Sequence, residues 1–277
     1  MFSLDGYRAV LANGGVVRRV DRGVLAVSGA DRAAWLQGLV TNDVGSLAEG
    51  ERRYAAYLTP QGRMITDMNV IERGGRMLLD VPQPLVPSLR ERLDGLIFSE
   101  DVTITDESAS LAVWTVIRQD SFEDVIGDTL PTEFTDLTAI DFDTFEVIRI
   151  ERGVPRFLAD MDDETIPLEA GIEDRAISFT KGCYVGQEII VRVTHRGGGR
   201  VAKKLVGWVA DADAEIVPLP GARIVSFDKD LGRVTSAPFS PSTNRVVGLG
   251  YVHRDFVEAG TEVTVVWNDA RIKVVVQ

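Results

Sequence analysis

Residues 181–188 read KGCYVGQE, and the character of the chain changes soon after this stretch. From Val201 onward, six short apolar runs alternate with turns that contain Gly, Pro or Asn. Short strands separated in this way are typical of a small antiparallel β-barrel. We therefore expect a C-terminal barrel whose strands are residues 205–209, 222–227, 232–237, 245–252, 261–267 and 271–276.

Upstream of this stretch, strand and helix patterns are mixed. Alternating apolar residues predict strands, and apolar stripes at helical spacing with capping residues predict helices. The predicted strands are 16–17, 24–27, 54–58, 64–71, 76–81 and 111–117, and the predicted helices are 34–40, 82–96 and 141–152. The chain is thus expected to be α+β. We expect three domains: an α+β domain over residues 1–108, a second α+β domain over 109–200, and the barrel over 201–277.

The composition excludes several classes of protein. The 277 residues include 30 basic and 42 acidic side chains, a net charge of −12, which disfavours nucleic acid as a general partner. The single cysteine, Cys183, forms no internal disulfide and supplies too few ligands for a zinc site or an iron–sulfur cluster. The N-terminus carries Asp5 where a signal peptide has basic residues, and no apolar run reaches about 20 residues. We expect a soluble cytoplasmic protein without a membrane partner.

Cys183 is the first candidate for chemistry. It lies near two glycines, and Lys181 and the arginines that follow would stabilise a thiolate and lower its pKa. Lys181 and Cys183 are therefore candidate catalytic residues. The alternative is that Cys183 is a small buried apolar residue, which is the more common role of a lone intracellular cysteine.

The stretch around Cys183 is strongly basic. Between Lys181 and Lys204 the sequence has six basic residues and one acid, Glu188, a local charge of +5 in an acidic chain. Two interpretations remain open. The strip either joins parts of the protein to each other or binds an anionic ligand such as a carboxylate.

Two acidic residues stand in unusual positions. Asp67 lies within a mostly apolar predicted strand, so it either faces water or has a partner, because an unpaired buried carboxylate is costly. Glu151 lies near the C-terminal end of a predicted helix, where the helix dipole disfavours an acid.

KGCYVGQE resembles the signature of the YgfZ-type folate-binding proteins, which are relatives of the glycine cleavage T-protein (aminomethyltransferase). Further matches follow in the family's order. They are LQG at residues 36–38, TND at 41–43, GRMITD at 62–67, RIERGVP at 149–155, IPLE at 166–169 and SF at 178–179. The resemblance implies a three-domain cloverleaf around a central tetrahydrofolate site, with the N-terminal domain binding folate.

The resemblance also assigns roles to residues. Asp67 is the remaining member of an acid pair near the folate nitrogens, and Glu151 matches the glutamate that binds the pterin edge. Phe145 stands where a tryptophan is familiar in YgfZ relatives, and near the other familiar tryptophan position this chain has Arg22. Cys183 replaces an aspartate of the T-proteins, which favours the YgfZ-type interpretation. The remaining folate-binding candidates are Asn42, Tyr184 and Arg192.

The resemblance leaves three functions open. The first is a tetrahydrofolate-binding accessory protein for assembly or repair of iron–sulfur proteins, with Cys183 as a functional thiol. Its partners would be folate and iron–sulfur proteins or their assembly machinery. The second is a folate-dependent aminomethyltransferase in which Asp67 is a catalytic residue that positions the folate and polarises the transferred group. The third is a non-catalytic folate-binding protein that assists tRNA modification.

Overall fold

The structure, a computed structural model, describes residues 1–196, 200–214, 216–227 and 229–277, with only the backbone of His195 and Arg196. It divides into two units, each described here by itself. The first contains Met1–Thr144 and Glu173–Ile189, and the second contains Phe145–Ile172 and Ile190–Gln277. The three-domain division at residues 108 and 200 stays a prediction.

The first unit is built on a five-stranded antiparallel sheet in the order β3-β4-β5-β2-β6. Its strands are β2 (Arg22–Ser28), β3 (Arg52–Leu58), β4 (Met64–Arg73), β5 (Arg76–Pro82) and β6 (Thr103–Asp106). Helices α2 (Arg32–Gln37) and α3 (Val86–Asp94) contribute apolar side chains to the core on one face of this sheet. A 3₁₀ turn, Gln83–Leu85, precedes α3, so the predicted helix over 82–96 is split.

A second sheet packs on the other face. It has four strands in the order β8-β7-β1-β9, namely β1 (Gly15–Arg18), β7 (Ala112–Ile117), β8 (Phe122–Gly127) and β9 (Thr138–Ile140). Val24 and Leu78 of the larger sheet share an apolar cluster with Val113 and Ile126 of the smaller one. Helix α1 (Leu4–Asn13), a 3₁₀ turn (Thr132–Phe134) and the short α6 (Glu173–Ala176) complete the regular structure of this unit.

The second unit is dominated by the C-terminal barrel. Six antiparallel strands follow one another in the order β10-β16-β15-β11-β12-β14, and β14 pairs with β10 to close the cylinder. These strands are β10 (Lys203–Ala210), β11 (Arg223–Ser226), β12 (Lys229–Ser236), β14 (Arg245–His253), β15 (Glu262–Trp267) and β16 (Ala270–Val276), while the two-residue β13 (Phe239–Ser240) pairs with β14. The predicted α+β class and antiparallel barrel are confirmed.

The remaining regular elements are short. They are α4 (Phe142–Glu151), α5 (Pro167–Ala170), α7 (Gln187–Val191), a π-helical turn (Arg192–Arg196) and a 3₁₀ turn (Arg254–Phe256). The predicted helix over 141–152 is confirmed as α4. Asp141 accepts hydrogen bonds from the Thr144 N–H and hydroxyl, and Gly153, at φ +68°, follows the last turn.

One predicted helix is shorter than its apolar stripe. The stripe over 34–40 predicts helix through Val40, but α2 ends at Gln37 and Val40 forms a β-bridge with Tyr57. Gly38 follows directly at the C-cap, and the chain then turns toward β3. Among the described residues, no helix has the length and apolar character needed to cross a membrane.

Candidate functional site

Lys181, the first residue of the KGCYVGQE segment, binds the segment to the chain at the end of α2. The Lys181 ammonium donates three hydrogen bonds, to the carbonyl oxygens of Gln37 at 2.6 Å, Val40 at 2.8 Å and Asn42 at 2.8 Å. These carbonyls belong to the end of α2 and the chain that follows it, where backbone acceptors lack helical partners. Burial lowers the pKa of Lys181 to about 8, and the Asp43 carboxylate opposes this shift. The Lys181 side chain thus holds the segment against the α2–β3 connection.

A second attachment is made by glycine. Gly186 adopts φ +83°, and a Cβ atom there would lie 2.6 Å from the Thr59 carbonyl oxygen in the β3–β4 turn. In the same turn, Gly62 adopts φ +75°, and its added Cβ would lie 2.8 Å from Cβ of Ile189. Only glycine combines this left-handed backbone with so close an approach. The segment and the hairpin turn are therefore in direct contact at both glycines.

Cys183 lies between these two attachments and is exposed. A Cβ at the preceding Gly182 would meet no atom within 4 Å among the described residues. Tyr184, in contrast, is buried, and its ring centroid lies 5.4 Å from Nζ of Lys181. Burial raises the pKa of Tyr184 to about 12, so its phenol stays protonated. The exposure of Cys183 removes the alternative of a packed apolar cysteine.

Asn42 uses its side chain within the first unit. Its Nδ2 donates to the carbonyl oxygens of Tyr54 and Arg175, both at 2.8 Å, and its Oδ1 accepts from the Asp43 N–H. Both amide hydrogens are therefore engaged with backbone, and Asn42 connects β3 to α6. Its role in binding folate stays a prediction.

Asp67 is buried and has partners. Its Oδ1 lies 2.8 Å from Nη1 of Arg22, and its Oδ2 accepts a hydrogen bond of 2.9 Å from the Tyr54 hydroxyl. Burial and the Asp67 charge raise the pKa of Tyr54 well above its ordinary value, so the hydroxyl remains a donor. The Arg175 guanidinium lies 4.4 Å from the centroid of the Tyr54 ring. Of the two predicted environments for Asp67, the structure shows the paired one.

Arg22 also holds a second buried carboxylate, that of Asp80. Arg22 donates through Nε to Asp80 Oδ1 and through Nη2 to the Asp80 carbonyl oxygen. Burial alone would lower the pKa of Arg22, but the charges of Asp80 and Asp67 raise it well above its ordinary value. Asn69 Nδ2 then bridges Asp80 Oδ2 at 3.1 Å and Asp124 Oδ2 at 2.8 Å. In the sequence, this network is indicated only by charged residues that lie inside apolar strands.

In the second unit, two predicted residues lie on α4. Phe145 is buried, and Glu151 is half-buried at the last turn, with the Ser242 hydroxyl 3.3 Å from its Oε1. Arg192 is exposed at the start of the π-helical turn. Nothing in the sequence indicates that Arg149 is fully buried and paired on this helix. It forms a bidentate ion pair with Glu146 and a 2.7 Å contact with Asp160.

Contacts thus connect four of the predicted site residues inside the first unit. Lys181 donates to the backbone of Asn42, Asn42 donates to the backbone of Tyr54, and the Tyr54 hydroxyl donates to Asp67. Tyr184 joins through Lys181. These contacts form one connected polar network, and Cys183, on the same segment as Lys181 and Tyr184, is exposed to solvent. The catalytic and cofactor-binding assignments of these residues stay predictions.

Comparison with known proteins first identifies the class. Residues 203–277 match the model described as the glycine cleavage T-protein C-terminal barrel domain, which corresponds to the closed barrel of the second unit. The fold of the chain is also similar to that of the glycine cleavage system aminomethyltransferase T from Bartonella henselae. That match has a TM-score of 0.82 at 17% identity and covers 99% of this chain and 88% of the other.

Two relatives extend the comparison by sequence. The iron-sulfur cluster assembly factor IBA57 homolog, mitochondrial, of Mycosarcoma maydis is 30% identical over 212 residues, 64% of this chain and 53% of that protein. An aminomethyltransferase of Geobacillus sp. is 23% identical over 329 residues, 97% of this chain and 87% of that protein. Together, these matches support the resemblance to the YgfZ/glycine cleavage T-protein family that the sequence motifs indicate.

Proposed function

We propose that this protein binds tetrahydrofolate and serves the assembly or repair of iron–sulfur clusters, with Cys183 as its working thiol. The observation that carries the proposal is the exposure of Cys183 on a segment fastened by Lys181 and Gly186. A thiol needed only for packing would be buried. The similarity to a protein named as an iron–sulfur cluster assembly factor supports the same process.

The donor and acceptor chemistry of the predicted residues fits a folate. The aminopyrimidinone edge of a pterin carries N–H donors, and the carboxylate of Glu151 is a suitable acceptor for two of them. Arg192 is an exposed cation suited to a glutamyl carboxylate, whereas the aromatic rings of Phe145 and Tyr184 are buried. Tetrahydrofolate, when bound, supplies nitrogen atoms that carry one-carbon groups. The protein's part is to bind and orient it.

The thiol has a defined reaction in this proposal. The Cys183 thiolate attacks the outer sulfur of a persulfide on a donor protein, a new S–S bond forms at Cys183, and the donor leaves as a thiolate. The donor's sulfur–sulfur bond breaks in the same step, so no external oxidant or reductant is consumed. Exposure of Cys183 is what such an exchange between proteins requires.

Replacement of Cys183 by Ala tests the thiol role. We expect C183A to fail to restore a YgfZ-deficient strain while its affinity for tetrahydrofolate, measured by calorimetry, stays within about twofold of the wild type. Glycine 182, which adjoins the thiol and has open space around it, gives a matched control, and G182A should restore growth. Full restoration of growth by C183A would contradict the thiol role. Absence of tetrahydrofolate binding by the wild type would contradict the proposed cofactor.

A second candidate is an aminomethyltransferase, favoured by the 97% coverage of this chain in its alignment with an aminomethyltransferase. Asp67 would then position the folate for transfer of the one-carbon group. The assay is formation of methylenetetrahydrofolate from an aminomethyl donor. Turnover that depends on Asp67 would support this candidate, and no turnover at saturating folate would remove it.

A further inference from the structure

The barrel unit carries a cleft of about 660 Å³ that none of the folate-site residues lines. Three basic side chains, Arg200, Lys204 and Arg254, line it together with Asp255, Glu258 and two valines. This volume lies within the range of about 300–1,000 Å³ that is usual for small-molecule sites. The cleft is therefore large enough for a ligand with several charged groups.

The backbone around the cleft is held in place. Lys204 lies on β10, paired opposite Val252 of β14. The Arg254 N–H donates to the Ala202 carbonyl oxygen at 3.1 Å, which fastens the turn after β14 to the entry of β10. The basic residues on the two segments are thus brought to one place by strand pairing.

The acidic residues of the cleft differ in their surroundings. Asp255 contacts residues of its own turn, because its Oδ1 lies 3.7 Å from Nε of Arg254 and its N–H donates to Nδ1 of His253. Arg200 and Lys204, in contrast, form no ion pair with any acid in the part of the chain that the structure describes. The negative charge of Glu258, which also lines the cleft, would repel a bound anion.

We propose that this cleft binds a small polyanion, a molecule that carries two or more phosphate or carboxylate groups. Arg200 and Lys204 belong to the basic stretch of an otherwise acidic chain, and basic residues that lack protein partners attract anions most strongly. Guanidinium groups bind phosphate and carboxylate in a bidentate manner. The site is separate from the proposed folate function, and its test is run without folate.

Calorimetry of the full chain with inorganic tripolyphosphate and, separately, with citrate tests the proposal and distinguishes phosphate from carboxylate. We expect one of these probes to bind, and its binding to weaken as salt is raised. The double variant R200Q/K204Q should weaken it by about tenfold or more. E258Q should strengthen it, because the variant removes a negative charge from the cleft.

Lys203 provides the matched control. It is adjacent to Lys204, but successive residues of a strand point to opposite faces, and its Nζ lies 4.8 Å from the Tyr251 ring centroid. K203Q removes one positive charge, as the Lys204→Gln change alone does, and should leave the affinity unchanged. An equal loss in K203Q and R200Q/K204Q would mean diffuse attraction and would overturn the proposal. Three other results would also overturn the proposal: weaker binding by E258Q, binding of neither probe, or binding of single-stranded RNA alone.

Discussion

Nη1 of Arg22 lies 2.8 Å from Oδ1 of Asp67, and both side chains are buried. The same guanidinium contacts the buried carboxylate of Asp80. One guanidinium therefore contacts carboxylates on two paired strands, Asp67 on β4 and Asp80 on β5. Asp67 is held in a fixed position by Arg22 and by the Tyr54 hydroxyl.

Replacement of Arg22 by Met should destabilise the protein strongly. The variant keeps most of the side-chain volume but removes the guanidinium that Asp67 and Asp80 share, and breaking a buried ion pair in this way costs about 3–5 kcal/mol. Urea denaturation measures the change in the free energy of unfolding. Arg18, exposed at the end of β1, supplies the control, and R18M should stay within about 0.5 kcal/mol of the wild type. Equal stability of R22M and R18M would show that the ion pair contributes nothing.

The decrease in the free energy of unfolding caused by R22M should depend on pH. Burial already raises the pKa of Asp80, and removal of Arg22 takes away a charge that opposes this rise. A carboxyl with a raised pKa in the folded state binds more protons folded than unfolded, so its effect on stability becomes more unfavourable as the pH rises. Urea titrations at a series of pH values should show the gap between R22M and the wild type narrowing as the pH is lowered. A gap independent of pH would contradict the role given to Asp80.

Two glycines of KGCYVGQE should respond differently to alanine. At Gly186 the backbone is left-handed and the new Cβ would lie 2.6 Å from the Thr59 carbonyl oxygen, so G186A should lose about 1–3 kcal/mol. At Gly182 the new Cβ has open space, and G182A should change the free energy of unfolding by less than about 0.5 kcal/mol. Thermal and urea unfolding of the two variants check this contrast. Similar decreases in the free energy of unfolding of G186A and G182A would mean that the β3–β4 turn does not hold the KGCYVGQE segment in place.

Lys181 gives a prediction at alkaline pH. K181M removes the donor to three carbonyl groups and should cost about 1–3 kcal/mol near neutral pH. Burial lowers the pKa of Lys181 from 10.5 to about 8, so between these values the unfolded chain binds more protons than the folded one. The stability contributed by Lys181 therefore rises with pH across this window.

The measurement is the difference in free energy of unfolding between the wild type and K181M, which should widen from about pH 8 to pH 10.5. K273M, on the exposed side of β16, controls for the loss of a surface lysine. A difference that shrinks with rising pH would show that the carbonyl groups, rather than burial, determine the protonation of Lys181.

The barrel and helix α4 were predictable because their signals are local. Turn residues separate the six barrel strands, and Asp141 and Gly153 mark the two ends of α4. Helix α1 was missed because only Tyr7 and Val10 are buried on it, which is too short an apolar pattern. Strand β6 likewise buries a single residue, Ile104.

The site was predictable only in part. The KGCYVGQE segment and the buried acid in β4 stand out in the sequence, but the partners of that acid do not. Arg22 is separated from Asp67 by 45 residues and from Asp80 by 58, and strand pairing alone brings the three together. A single sequence does not specify that register, so neither the role of Arg22 nor the attachment of Lys181 to distant carbonyls was foreseen.

In the second unit, Asp160 should be essential for holding the helix that carries Glu151. Its carboxylate is buried and accepts four hydrogen bonds, from Arg149 Nη1, the Arg156 N–H and the hydroxyls of Thr235 and Ser236. D160N removes the charge opposite the buried Arg149 and turns a donor toward other donors, which should cost about 3–5 kcal/mol. D163N, an exposed position three residues later, should have almost no effect. Urea denaturation compares the two, and a loss in D160N no larger than that in D163N would contradict the structural role of the Arg149–Asp160 pair.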